Sequence, residues 1–344
     1  SGKTYAQGND IYFRRSRLEM TGTLVPKSIT YNLTFSADRW EQAGGTNTVK
    51  LYNAYLVWDV VDEFSVRLGK AKLPYSRISI IPDQTLLLIE YPDSTEAATK
   101  LFGGTDPYYQ PHVLVNGRVL GGMFSYFLAA GDGWQNGETI YTRGTYLTTD
   151  TADTKVAKGG ALTVARIELS PPGWVEKKKI DAPLGIGKHL TLGIDYAAQK
   201  GIAFYNNTVN RNIKEDRVLM GYDLSGHYKG LTVLYEYNTW TIRQTAGAKK
   251  DVAPRGWLVQ AGYLIEALNL NIEPAARYEV YNQDGNKSDA YERIMTVELN
   301  WYLKGHSLKL GADWINTQYE KNAKGRLSNQ DEKNVFQVQT QLYF

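Results

Sequence analysis

Arg15 and Arg17 stand two residues apart, and in an extended chain that spacing sends both guanidinium groups to one side. Lys70 and Lys72 repeat the spacing with ammonium groups. A guanidinium fork pairs two oxygens of a carboxylate or phosphate at once, and a fixed cation attracts an anion strongly only where screening is poor. Such pairs are candidates to line a wall along which anions pass. With Leu18 and Met20 facing an apolar surround, Arg15, Arg17, Glu19 and Thr21 face away from it. The same parity also fits charges paired with Glu19 and its neighbours, which would merely keep a wet interior ordered. A Lys facing lipid at mid-depth costs on the order of 2–4 kcal/mol, which places Lys70 and Lys72 inward and Gly69 and Ala71 outward.

Other chemistries have little footing. The chain has no Cys, so disulfides and thiolate metal sites are excluded. Its four His residues, His112, His189, His227 and His306, never fall at i, i+3 or i+4, so no metal or cofactor site is expected. None has a Ser or acid partner at a spacing that suggests nucleophilic catalysis, so no catalytic residue and no enzyme are expected. The net charge of +3 gives no basic stripe for nucleic acid.

The elements that must carry the cations have period two. At the carboxyl end Phe336, Val338, Thr340, Leu342 and Phe344 share one face, while Gln337, Gln339, Gln341 and Tyr343 share the other. Ile29, Tyr31, Leu33, Phe35 and Ala37 alternate with Thr30, Asn32, Thr34, Ser36 and Asp38. Leu231, Val233, Tyr235 and Tyr237 alternate with Thr232, Leu234, Glu236 and Asn238, and Met295 to Leu303 repeats the pattern with Glu298 and Asn300 inside. A soluble core would have to bury those mid-strand polar groups, whereas a wet lumen would not. The mean hydropathy of −0.41 suits a barrel whose lumen and loops dilute its lipid-facing half.

The connections alternate in length. Short turns such as Val25-Pro26-Lys27-Ser28, Val61-Asp62-Glu63, Lys229-Gly230 and Gly305-His306-Ser307 alternate with long ones at 41–47, 76–110, 132–158 and 322–333. That is the pattern of an all-β, transmembrane antiparallel barrel with short periplasmic turns and long extracellular loops. The whole chain, 1–344, reads as one such domain with about fifteen strands beginning at Asp10, and the even-number rule raises the expectation to about 16. Pro171 to Lys188 breaks the alternation: it is long where a periplasmic turn should be short, with a folded-over turn at Pro171-Pro172-Gly173. Within it Lys177-Lys178-Lys179 reads as a solvated run. One helix is expected, at Ser94 to Leu101 with Ser94 as its cap.

Tyr12-Phe13-Arg14-Arg15-Ser16-Arg17-Leu18-Glu19, Leu68-Gly69-Lys70-Ala71-Lys72-Leu73-Pro74-Tyr75-Ser76, Ala165-Arg166-Ile167 through Pro171, Glu236-Tyr237, Gly256-Trp257-Leu258-Val259-Gln260, Ala276-Arg277-Tyr278 and Asn300-Trp301-Tyr302 follow one another along the chain. With the terminal strand they resemble the phosphate- and pyrophosphate-selective porins (porin O and P type) of Gram-negative outer membranes. The resemblance implies a 16-stranded homotrimeric channel in outer-membrane lipid and lipopolysaccharide, with the first strand lying outside this sequence. It implies a third loop, 76–110, folded into the lumen as the constriction, and adds Arg166 and Arg277 to the inward cations. The family carries a Lys early in that loop and an Arg after an apolar-Glu pair. Here Ser79 and Tyr91 stand there instead, Arg77 substitutes in part, and Asp83 and Glu90 lie close by. The expected function is a passive channel for small hydrophilic solutes with an anion preference, without tight phosphate selectivity. The alternative is a barrel acting through its extracellular loops as receptor, adhesin or envelope-protein partner.

Overall fold

The computed structural model describes residues 11, 13–24, 28–38, 49–102, 109–135, 154–176, 178–206, 211–246, 251–267, 270–323 and 330–343. Among the described residues, seventeen strands form one antiparallel sheet. They are β1 (Arg17–Thr23), β2 (Ile29–Ser36), β3 (Lys50–Val61), β4 (Phe64–Lys72), β5 (Tyr109–Val119), β6 (Phe124–Gly131), β7 (Thr154–Lys158), β8 (Leu162–Leu169) and β9 (Lys188–Asn206). There follow β10 (Arg211–Tyr228), β11 (Leu231–Ala246), β12 (Arg255–Tyr263), β13 (Ile265–Ala267), β14 (Leu270–Asn282), β15 (Tyr291–Lys304), β16 (Leu308–Tyr319) and β17 (Glu332–Leu342). Each strand pairs with its neighbour in sequence, except that β7 prolongs β8 along β9 and β13 prolongs β12 along β14. Seventeen strands less those two continuations leave fifteen ladder positions. The first strand starts at Arg17 rather than Asp10, so Arg14 and Arg15 lie on the segment leading into it.

The period-two reading of the strands translates into an inside-out barrel. On β15, Val297, Leu299, Trp301 and Leu303 are 39–52% exposed on the outer face, and Thr296, Glu298, Asn300 and Tyr302 are at most 2% exposed on the inner one. Phe336, Val338 and Leu342 of β17 are 61–71% exposed. Apolar side chains outside and polar ones inside suit hydrocarbon around a lumen.

That lumen is not simply wet. Residues 73–102 leave the end of β4 and run through it, with Leu73, Tyr75, Ile78, Ile81, Leu86, Leu87, Leu88, Leu101 and Phe102 buried. Two short helices lie in this segment, α1 (Arg77–Ile80) and α2 (Asp93–Lys100). Leu101 and Phe102 pack with inward residues of the wall, including Leu162, Leu219, Trp240 and Tyr281. The mid-strand polar groups are accordingly buried rather than hydrated. A backbone inside a lumen needs partners for its N–H and C=O groups, and the wall supplies them.

The expected helix forms, but Ser94 does not cap it. The helix starts at Asp93, and the Ser94 hydroxyl donates to Glu279 on β14 at 2.9 Å.

Candidate functional site

The Arg15–Arg17 pair approaches the lumen segment beside β4. Arg17 forks between Asp38 at 2.7 Å and Asp83, and its guanidinium lies 3.8 Å from the centre of the Tyr52 ring. Arg15 stands 3.8 Å from Asp83. Lys72 donates to Asp83 at 2.8 Å, to the Tyr91 hydroxyl at 2.7 Å and to the Ile81 carbonyl at 2.6 Å. Tyr91 also donates to Asp83. One carboxylate on the lumen segment thus gathers three cations from the wall. Burial alone would push the Asp83 carboxyl up, but Lys72, Arg17 and Arg15 outweigh it and hold the group well below the usual carboxylate range. Glu90 meets Arg14. A cavity of about 860 Å³ runs along this face, lined by Arg14, Arg15, Arg17, Lys72 and Asp83 and by Gln337, Gln339 and Gln341 of β17.

The opposite wall grips the back of the segment. Glu236 on β11 accepts from the Ile78 amide at 3.3 Å and the Thr95 hydroxyl at 2.7 Å. Glu279 accepts from the amides of Asp93 at 3.0 Å and Ser94 at 3.4 Å, and Glu298 on β15 accepts from the Ile89 amide at 2.7 Å. Asn300 and Lys309 donate to the Leu87 and Leu86 carbonyls at 2.8 and 3.0 Å. Carboxylates thus hold the amides of the segment from behind while Asn300 and Lys309 hold its carbonyls, and Arg15, Arg17 and Lys72 meet its front.

The expected site residues divide accordingly. Arg15, Arg17, Lys72, Asp83, Glu90 and Tyr91 come together at the front. Arg277 sits among the anchors, donating to the Glu90 carbonyl at 2.9 Å.

Three expectations are corrected. Lys70 shares the outer row of Leu68, pairs across from Ala54 and Pro111, and donates to the Leu51 carbonyl at 2.9 Å. The alternation through Gly69 keeps Ala71 on the cavity side instead, and Lys72 turns inward only where the strand bends into the lumen. A Cβ at Gly69, whose φ is +132°, would come within 2.2 Å of the Ala54 carbonyl oxygen. Arg166 does not line a pore: it is fully buried between Glu168 at 3.0 Å, Asp195 and Asp223 at 2.6 Å. Arg77 is sealed likewise, forking onto Glu176 at 2.8 and 2.6 Å.

Two cations on the cavity were missed. Arg14 lies on the segment before β1, where strand parity does not apply, and borders the cavity. Arg67 lines the cavity on the parity opposite Leu68, within 3.0 Å of His112 Nε2. Reading Leu68 as outward would have found it. In the lysine run Lys177 lies outside the described residues and Lys178 is exposed, but Lys179 is bound to Glu168 and Glu176 rather than solvated.

An apolar belt of strands around a polar lumen, entered by one long segment, defines an outer-membrane β-barrel of the porin type. The fold is similar to the anion-selective porin from Comamonas acidovorans, with a TM-score of 0.61 and 12% identity over 95% of this chain and 86% of that one. It is similar also to Salmonella typhi OmpF in complex with daunomycin, with a TM-score of 0.55 and 11% identity over 97% and 93%. An uncharacterized protein of Aquifex aeolicus (strain VF5) is 34% identical over 364 residues, covering 99% of this chain and 82% of its own length. The chain belongs to the phosphate-selective porin O and P family, which it matches over residues 2–163 and 229–344. It is an outer-membrane porin, a channel for small solutes.

Proposed function

We propose that small hydrophilic solutes pass along the front of the lumen segment, and that anions are favoured there by Arg14, Arg15, Arg17, Arg67 and Lys72. The observation that carries this reading is the convergence of Arg15, Arg17 and Lys72 on the single carboxylate of Asp83 beside an open cavity. Arg15, Arg17 and Lys72 against Asp83 and Asp38 leave one positive charge in excess where a low local dielectric makes it felt. The third loop, 76–110, is the constriction in this reading; its residues 103–108 lie outside the described residues. An anion-selective porin on the same fold is consistent with it.

Ser79 and Tyr91 argue against tight phosphate selectivity. Ser79 is buried and spends its hydroxyl on the Ser76 carbonyl at 2.9 Å, and Tyr91 offers a hydroxyl where the family has a guanidinium. The inferred working unit is a homotrimer in outer-membrane lipid and lipopolysaccharide. The alternative role through extracellular loops falls mostly on 39–48 and 136–153, outside the described residues. Planar-bilayer recording tests the channel: discrete conductance steps are expected, and a folded, purified barrel without them would overturn it.

A further inference from the structure

We propose that the turn between β8 and β9 is a prop, reaching into the barrel from the periplasmic end, whose Glu176 and Asp181 fix the position of the third loop and thereby the bore of the channel. The proposal rests on the channel reading above.

This is the stretch whose length breaks the short-turn rule. It folds over at once, the Trp174 amide donating to the Pro171 carbonyl at 3.0 Å with Gly173 at φ +75°. It then touches the loop at three successive points. Glu176 takes both ends of the Arg77 guanidinium, with 2% of the Arg side chain and 6% of the Glu side chain exposed, and Arg77 also donates to the Ile180 carbonyl at 3.2 Å. The Ala182 amide donates to the Thr85 carbonyl at 3.0 Å. Asp181 accepts from the Leu87 amide at 2.8 Å, while Gln260 on β12 donates to the same carboxylate at 3.0 and 3.1 Å.

The prop is itself braced. Lys179 joins Glu176 at 3.2 Å to Glu168 on β8, and a ring nitrogen of His306 lies 2.9 Å from the Ala182 carbonyl. Ala182 packs among Leu87, Leu88 and Tyr302. Burial would push the Glu176 carboxyl up, but Arg77 and Lys179 outweigh it and hold it ionised. Removing either partner of this buried pair leaves the other less compensated and loosens the loop at this point, while its anchors on the far wall remain. Glu176 and Asp181 do not border the open cavity, and they act on solutes only through the loop. The family match leaves out 164–228, the stretch that contains this turn.

The test compares single-channel records of the parent with Glu176→Gln, Arg77→Gln and the exchanged pair Glu176→Arg with Arg77→Glu. The single variants should conduct at a higher level with excess open-channel noise, and the exchange should restore the parent record. Single variants indistinguishable from a conducting parent would overturn the prop. Where the single variants fail to fold, Thr85→Cys with Ala182→Cys decides, because the parent chain has no Cys. Mild oxidation should close that disulfide in the intact barrel and leave conductance at the parent level. A folded barrel that never cross-links would overturn the proposal. A silent parent whose pair still cross-links would overturn the channel reading while leaving the prop in place.

Discussion

Lys72 Nζ lies 2.8 Å from Asp83 Oδ1, so a cation at the end of β4 is held by the loop that the same strand feeds into the lumen. The carboxylate is a counterion built into the site. It lowers the field that Arg15, Arg17 and Lys72 would otherwise present to a passing anion. Replacing it with a neutral group, as in Asp83→Asn, adds one net positive charge to the wall. At an effective dielectric near 20, and after salt screening, that change is worth about 1 kcal/mol to an ion nearby, or roughly five-fold in the anion-to-cation permeability ratio. Reversal potentials under a KCl gradient check it, and a shift toward cations would refute it.

The reverse change is Arg15→Ala with Arg17→Ala. Two cations leave and Asp83 keeps only Lys72, so permeability should move toward cations by more than Asp83→Asn moves it toward anions. An unchanged reversal potential would show that these arginines only balance Asp38 and Asp83.

The depressed Asp83 carboxyl sets the pH behaviour. A group whose folded pKa lies below its unfolded value contributes stability that is present above the unfolded value and lost as pH falls through the folded one. Selectivity attributable to this cluster should therefore stay flat from pH 8 down to about 4, the ordinary Asp value. An anion preference that climbs between pH 7 and 5 in the parent but not in Asp83→Asn would mean that Asp83 is not held by its three cations.

The grip on the back of the loop separates acceptors from charges. Glu279→Ala leaves the amide and hydroxyl of buried Ser94 without their acceptor, at about 1–3 kcal/mol for each buried group left unsatisfied. Glu279→Gln keeps an oxygen and should lose less. Thermal unfolding of the purified barrel measures the difference, and equal losses would contradict the assignment.

The outer belt was legible because its signal is local. Alternation along Phe336, Val338 and Leu342 marks the lipid face without reference to any other strand. It predicts that Val338→Lys costs on the order of 2–4 kcal/mol near mid-depth while Gln339→Lys is tolerated. Folding yields in lipid vesicles distinguish the two, and equal yields would reverse the facing.

The Arg15–Arg17 pair was legible for the same reason. Arg77 was not, because its partner Glu176 lies 99 residues away in a turn with no periodicity. Glu236 and Glu298 were seen as inward but assigned to water, since a strand pattern says nothing of which backbone will fill the lumen opposite it. Lys70 failed because the cost of a lysine facing lipid was set above the alternation, which runs through Gly69 and keeps Lys70 in the outer row of Leu68.

The most direct measurement is the reversal potential of the reconstituted porin under a KCl gradient, repeated with phosphate added. An anion-side potential that the Arg15→Ala, Arg17→Ala pair abolishes is the predicted result. A cation-side potential in the parent protein would contradict the basic wall as the path of conduction.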